Sequence, residues 1–195
     1  MNTNKSIVFS RLTVGVNSIF NKNVKIILNS ISGGFEFNSL NAVMGSSGSG
    51  KTTLLKCLND SNEYVLSEES VICVNRSESQ VIKCFIHQNQ EQRVMKGLTV
   101  RQCLLYASKL KNSCLADCVD HRVNVNDLMS ELLISDISDN PIEKCSGGEV
   151  KRICIALELT SVRKPSLLFI DEPTTGLDSY AAQVVSICII ELFII

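Results

Sequence analysis

The stretch Gly45-Ser-Ser-Gly-Ser-Gly-Lys51-Thr52 constrains this chain more than any other, because it meets G-x-x-x-x-G-K-[ST] at every fixed position. Gly45, Ser46, Ser47, Gly48, Ser49 and Gly50 carry little side-chain bulk, so successive backbone N–H groups can turn inward and wrap an anion. Gly50 and Lys51 then open a helix whose unpaired amides and positive dipole end face the same anion. Lys51 adds a mobile charge for the outer phosphates of a triphosphate, and the Thr52 hydroxyl suits magnesium. The flanks agree: Leu40 to Met44 reads as a short apolar strand, and Leu54, Leu55 and Leu58 recur at helical spacing.

A chain of 195 residues can bury a proper core and is expected to form one domain with room for a subdomain. Its net charge of -1 supplies no basic field for nucleic acid. Nine cysteines without a signal-peptide pattern suit a reducing compartment, where most thiols act as small apolar residues. Cys114, Cys118 and His121 come nearest to a metal set, but structural zinc favours four closed ligands, and this stretch reads as a helical surface or loop. The most apolar run, Val184 to Ile195, is too short for a membrane span and carries Glu191.

Residues 1 to 40 alternate around Ile7, Phe9, Leu12, Val14 and Val16, then around Ile26, Leu28, Ile31, Phe35 and Phe37. Antiparallel strands are expected, with turns near Asn21-Lys-Asn23 and Gly33-Gly34. Phe20 is either a stacking partner for a base or an ordinary core or edge aromatic. Short strands follow at Tyr64 to Leu66, Val71 to Val74 and Val81 to Ile86, the last running into His87-Gln-Asn-Gln90. Thr99 to Lys109 reads as a helix with a Thr99/Gln102 capping box and Val100, Cys103, Leu104 and Ala107 on one face. A second helical run places Val125, Leu128, Met129, Leu132 and Leu133 at matching spacing.

Cys145-Ser-Gly-Gly-Glu149 introduces another helix, reaching about Thr160, and Ser146 and Glu149 stand at capping-box spacing. The same two glycines could expose amides at a positive helix end as a second anion site, and the local pattern does not choose between the readings. Leu167 to Ile170 is fully apolar, as in a buried parallel strand, and ends in Asp171-Glu172-Pro173. Ligands gather at the carboxyl ends of strands in open α/β sheets, so Asp171 is expected to hold magnesium through water while Glu172 orients and deprotonates a water.

Together these segments, with Gly176-Leu-Asp-Ser179, resemble the nucleotide-binding domain of an ABC transporter: Walker A loop, signature, Walker B strand and D-loop in order. Gly97-Leu-Thr-Val-Arg101, Ser146-Gly-Gly-Glu-Val-Lys-Arg152 and Pro165-Ser-Leu-Leu-Phe-Ile-Asp-Glu-Pro-Thr-Thr-Gly-Leu-Asp-Ser179 are similar to White-type subfamily G half-transporters and to arthropod subfamily H. The resemblance implies an α/β P-loop NTPase fold. It has a mostly parallel core sheet, an N-terminal antiparallel β subdomain, and a helical subdomain over about 98–160 that carries the signature. It implies ATP and Mg2+ as ligands, held by Gly45 through Thr53, with Thr52, Gln88 and Asp171 toward the metal and Glu172, Lys51 and Gln88 in catalysis. Ser146, Gly147 and Gly148 would meet the γ-phosphate of a second nucleotide-binding domain, in a homodimer or heterodimer, and Asp178 would line the seam. Gln90 competes for the Gln88 role, because counting back from Leu98 without a gap lands there.

The implied activity is ATP hydrolysis coupled to export of lipid or other hydrophobic small molecules, at the cytoplasmic face of a membrane, alongside a transmembrane domain of the full-length protein. Cys145 and Glu149 stand where the commonest signature has Leu and Gln, as in White-like members. The family's switch histidine, on a further strand of the central sheet, has no counterpart in His87 or His121. The cassette is therefore expected to be incomplete at its C-terminus, marginally stable and slow in turnover. The alternatives are a nucleotide-binding fragment without appreciable turnover and a soluble ABC-type ATPase that moves no solute.

Overall fold

The computed structural model describes residues 5–17, 24–36, 39–74, 81–87 and 94–193. The chain divides into two compact units, Met1–Phe85 and Ile86–Phe193. Phe20, Phe37, the Asn21–Asn23 turn, Gln88 and Gln90 lie outside the described residues.

The first unit is built on β1 (Lys5–Asn17), which pairs antiparallel with β2 (Val24–Glu36) on one side. On the other it takes β3 (Val65–Leu66) and β4 (Val71–Val74), again antiparallel. Alternation puts Ile7, Phe9, Leu12, Val14 and Leu28 in the core, as a half-buried sheet requires. Gly33 and Gly34 do not turn the chain. They sit in the ladder opposite Phe9 and Val8. A Cβ on Gly33 would lie 2.8 Å from Phe9 Cζ, so glycine there makes room for a ring packed against Phe35 at a centroid distance of 6.1 Å. The ladder is irregular between Phe9 and Val14, where Arg11 and, across from it, Ser30 take positive φ. Side chains repair it: Arg11 N–H donates to Ser32 Oγ and Ser30 N–H to Thr13 Oγ1, both at 2.9 Å.

Helix α1 (Lys51–Leu58) buries Leu54 and Leu58, as the spacing predicts, while Leu55 is only half-buried and Cys57 is buried instead. The apolar run ahead of it departs from expectation. Leu40 to Met44 is not a strand, and Leu40 and Met44 are 58% and 90% exposed. An apolar run becomes a strand only where neighbours complete its ladder, and no described strand pairs with it.

The second unit contains α2 (Val100–Lys111), α3 (His121–Glu131), α4 (Gly147–Leu159), strand β6 (Leu167–Ile170) and α5 (Ser179–Phe193). Strand β5 (Lys83–Ile86) ends where this unit begins. At that end Asp171 N–H donates to the Ile86 carbonyl at 3.0 Å. Apolar faces of the four helices close one core around Leu104, Leu128, Met129, Ile153, Leu159 and Val185. Leu133 does not join it, being 63% exposed with a φ of 53°. Helix α3 stops at Glu131, the chain reverses through a left-handed residue, and Ile134 takes the buried place instead. No described helix is long and apolar enough to cross a membrane.

Candidate functional site

The phosphate-loop sequence adopts the backbone that its composition allows. Gly48 and Gly50 have φ of 78° and 92°, and Ser49 N–H closes a turn on the Ser46 carbonyl at 3.2 Å. A Cβ on Gly45 would stand 2.8 Å from Ser49 Oγ, and one on Gly50 would stand 2.6 Å from Leu28 Cδ2. Gly50 begins α1 without a side-chain cap hydrogen bond, and a helix start of that kind suits an anion. Lys51 bends back over the loop, its Nζ donating to the carbonyls of Gly45 at 3.0 Å and Ser46 at 2.9 Å. Ser46 to Ser49 are exposed, Thr52 is half-buried, and Thr53 turns inward beside Leu54. Exposed amides, a lysine and a hydroxyl at one helix start fit a polyphosphate, and Thr52 is an oxygen donor of the kind magnesium takes.

In the second unit the signature residues begin α4. Ser146 Oγ accepts from Glu149 N–H, and the Glu149 carboxylate accepts from Ser146 N–H at 2.7 Å. The capping box is therefore real, while Ser146 and Gly147 remain exposed. Gly148 is buried for packing: a Cβ there would come within 2.9 Å of Ala181 Cβ. Cys145 is half-buried, and desolvation, with Glu149 and Glu143 nearby, pushes its thiol above the ordinary range.

Strand β6 delivers Asp171 buried, at 6% exposure, and Glu172 exposed with φ of 48°. A left-handed glutamate is strained by roughly 1–2 kcal/mol, a cost that functional sites accept. Thr175 Oγ1 donates to Glu172 Oε2 at 3.0 Å, and Lys151 Nζ of α4 donates to the Thr175 carbonyl. Asp178 caps α5, accepting from the N–H groups of Tyr180 and Ala181, both at 3.0 Å. Cys114 and Cys118 are exposed, and His121 Nδ1 pairs with Ser108 Oγ at 3.0 Å. Sequence reading missed Lys151 and Thr175 because no motif marks their mutual contact.

The first unit thus presents the loop of a P-loop nucleotide-binding fold. A family model described as "ABC transporter" matches residues 28–175, and the chain belongs to that family. It is 34% identical over 190 residues to the Arabidopsis thaliana ABC transporter G family member 7, covering 91% of this chain and 25% of that protein. It is 36% identical over 180 residues to the Caenorhabditis elegans ABC transporter ATP-binding protein/permease wht-3, covering 87% of this chain and 28% of that protein. The chain spans about a quarter of the length of these curated relatives. Among solved structures, cbiO1 from Clostridium perfringens, part of the cbiONQ ABC transporter complex, shares the fold. Its TM-score is 0.72 at 20% identity, covering 97% of this chain and 74% of that one.

Proposed function

We propose that this chain is the ATP-binding and ATP-hydrolysing part of an ABC-type transporter, working as one of a pair of nucleotide-binding domains beside a transmembrane domain at the cytoplasmic membrane face. The observation that carries the reading is the loop itself, where two left-handed glycines and a folded-back lysine precede an uncapped helix. Gly45 through Thr53 would take the phosphates, and Thr52, Asp171 and, by the family resemblance, Gln88 would hold Mg2+, which when bound neutralises phosphate charge. Glu172 accepts the proton of a water whose oxygen bonds to the γ-phosphorus as the bond to the β-phosphate oxygen breaks and ADP leaves. Ser146, Gly147, Gly148 and Asp178 serve the partner's nucleotide. The cargo proposed from the family resemblance is a lipid or another hydrophobic small molecule.

Equilibrium binding of radiolabelled ATP tests the loop. Lys51→Ala is expected to weaken binding roughly 10- to 100-fold, the worth of a charged hydrogen bond. Unchanged affinity would refute the assignment. The exposed, unladdered Leu40 to Met44 segment behind the loop favours a second reading, in which nucleotide binds but turns over slowly. Phosphate release measured on the same samples separates the two.

A further inference from the structure

Glu172 is exposed and stands on a strained backbone, so nothing about burial fixes where its carboxylate points. A general base must hold its oxygen within hydrogen-bond reach of the proton that it takes. The geometry points to Thr175 and Lys151 as positioning residues for Glu172, forming a relay from the signature helix to the acid; this rests on the reading of Glu172 as the base.

The contacts run in one direction. Lys151 Nζ, on α4 five residues after Ser146, donates to the Thr175 carbonyl. Thr175 N–H closes a turn on the Glu172 carbonyl at 3.4 Å, and Thr175 Oγ1 donates to Glu172 Oε2 at 3.0 Å. A hydroxyl donating to one carboxylate oxygen restricts the rotamer that the carboxylate can take. Gly176, with φ of 79°, lets the chain turn directly after Thr175, so the tether is short. Lys151 lies two residues after Glu149 of the capping pair, on the same α4. The signature helix is thereby linked to Glu172 through the Lys151 side chain and the backbone and hydroxyl of Thr175. The Thr175 hydroxyl is engaged with Glu172 and its carbonyl with Lys151, so its effect is expected in kcat rather than in nucleotide affinity.

The test uses the full chain with Thr175→Val, which removes the hydroxyl at constant shape, Thr175→Ser, which keeps it, Lys151→Met, and the double variant Lys151→Met/Thr175→Val. Single-turnover hydrolysis is expected to slow about 10-fold in Thr175→Val and to recover in Thr175→Ser, with ATP affinity unchanged. Lys151→Met is expected to slow it less, and the double variant no further than Thr175→Val alone, because both act through one contact. A second readout does not depend on turnover: the side-chain carboxyl 13C resonance of Glu172 is expected to move in Thr175→Val and return in Thr175→Ser. An unmoved resonance, a Thr175→Ser no better than Thr175→Val, or fully additive losses would overturn the relay. Glu172→Gln separates this from the underlying reading: full turnover in that variant removes the base itself, whereas a dead Glu172→Gln beside a fully active Thr175→Val removes only the relay.

Discussion

At the scale of single residues, charge and burial make two predictions that need no nucleotide. Glu143 sits on a turn before the signature, and its carboxylate accepts first from its own N–H and next from the N–H of Gly97, a residue in the left-handed region. Those bonds, with Lys96 adding a smaller attraction, hold its pKa below the ordinary carboxylate value. A depressed carboxylate pKa contributes stability that is fully present above the unfolded value and is lost as pH falls through the folded one. Glu143→Gln is therefore expected to melt earlier than wild type at pH 7, and the gap in Tm should narrow as pH falls below the ordinary carboxylate value. A gap that persists in acid would mean that the carboxylate charge is irrelevant. Cys57, buried in α1, has its thiol pushed up to about 11 by desolvation, whereas Cys73, Cys114 and Cys118 are exposed. Because the thiolate is the nucleophile, iodoacetamide at pH 8 is expected to label those three roughly 100-fold faster than Cys57, read by peptide mass spectrometry.

At the scale of elements, the second unit depends on a polar joint that no local pattern announces. Asn112 ends α2 at 2% exposure, and its Nδ2 donates to the carbonyls of Ser108 at 2.8 Å and Thr160 at 2.9 Å. Its Oδ1 accepts from Val162 N–H at 2.9 Å, and Asn124 of α3 donates to the same Thr160 carbonyl. One amide thus ties the ends of α2 and α4 to the chain that leads into β6. Asn112→Leu would leave the part-buried Val162 N–H without this acceptor and remove the bonds to two carbonyls, so a loss of about 2–3 kcal/mol is expected by urea denaturation. Thr99→Ala, which removes only the α2 cap, is expected to cost about 1 kcal/mol, and a reversed ranking would show the joint to be incidental. The contrast explains what was readable in advance. The Thr99/Gln102 and Ser146/Glu149 boxes span three residues and follow from residue type alone, so α2 and α4 were legible with their caps. Asn112 finds Ser108 one turn back, but Thr160 and Val162 lie 48 and 50 residues away, and the ring that requires Gly33 belongs to another strand, so neither long-range contact could be read locally.

At the scale of the whole molecule, each unit has its own core, and the site residues divide between them. The loop, Lys51 and Thr52 belong to Met1–Phe85, whereas Ser146, Asp171, Glu172 and Asp178 belong to Ile86–Phe193. The segment that would join loop to sheet is Leu40 to Met44, and its departure from expectation concerns neighbours rather than propensity. Its composition suits a buried strand, but a strand exists only when adjacent chain satisfies its N–H and C=O groups. Without a described ladder partner, Leu40 and Met44 face solvent, and the loop that follows is anchored mainly through α1 and Leu28. Hydrogen exchange followed by mass spectrometry is expected to show amides 40–46 exchanging within seconds while those of β1 and α2 remain protected for far longer. Leu40→Lys together with Met44→Lys is expected to reduce self-association in sedimentation runs with little change in Tm, because neither side chain contributes to a core. Protection of 40–46 equal to that of β1 would show that the segment is laddered in solution. In that case the double substitution would lower Tm by introducing charge into a packed sheet.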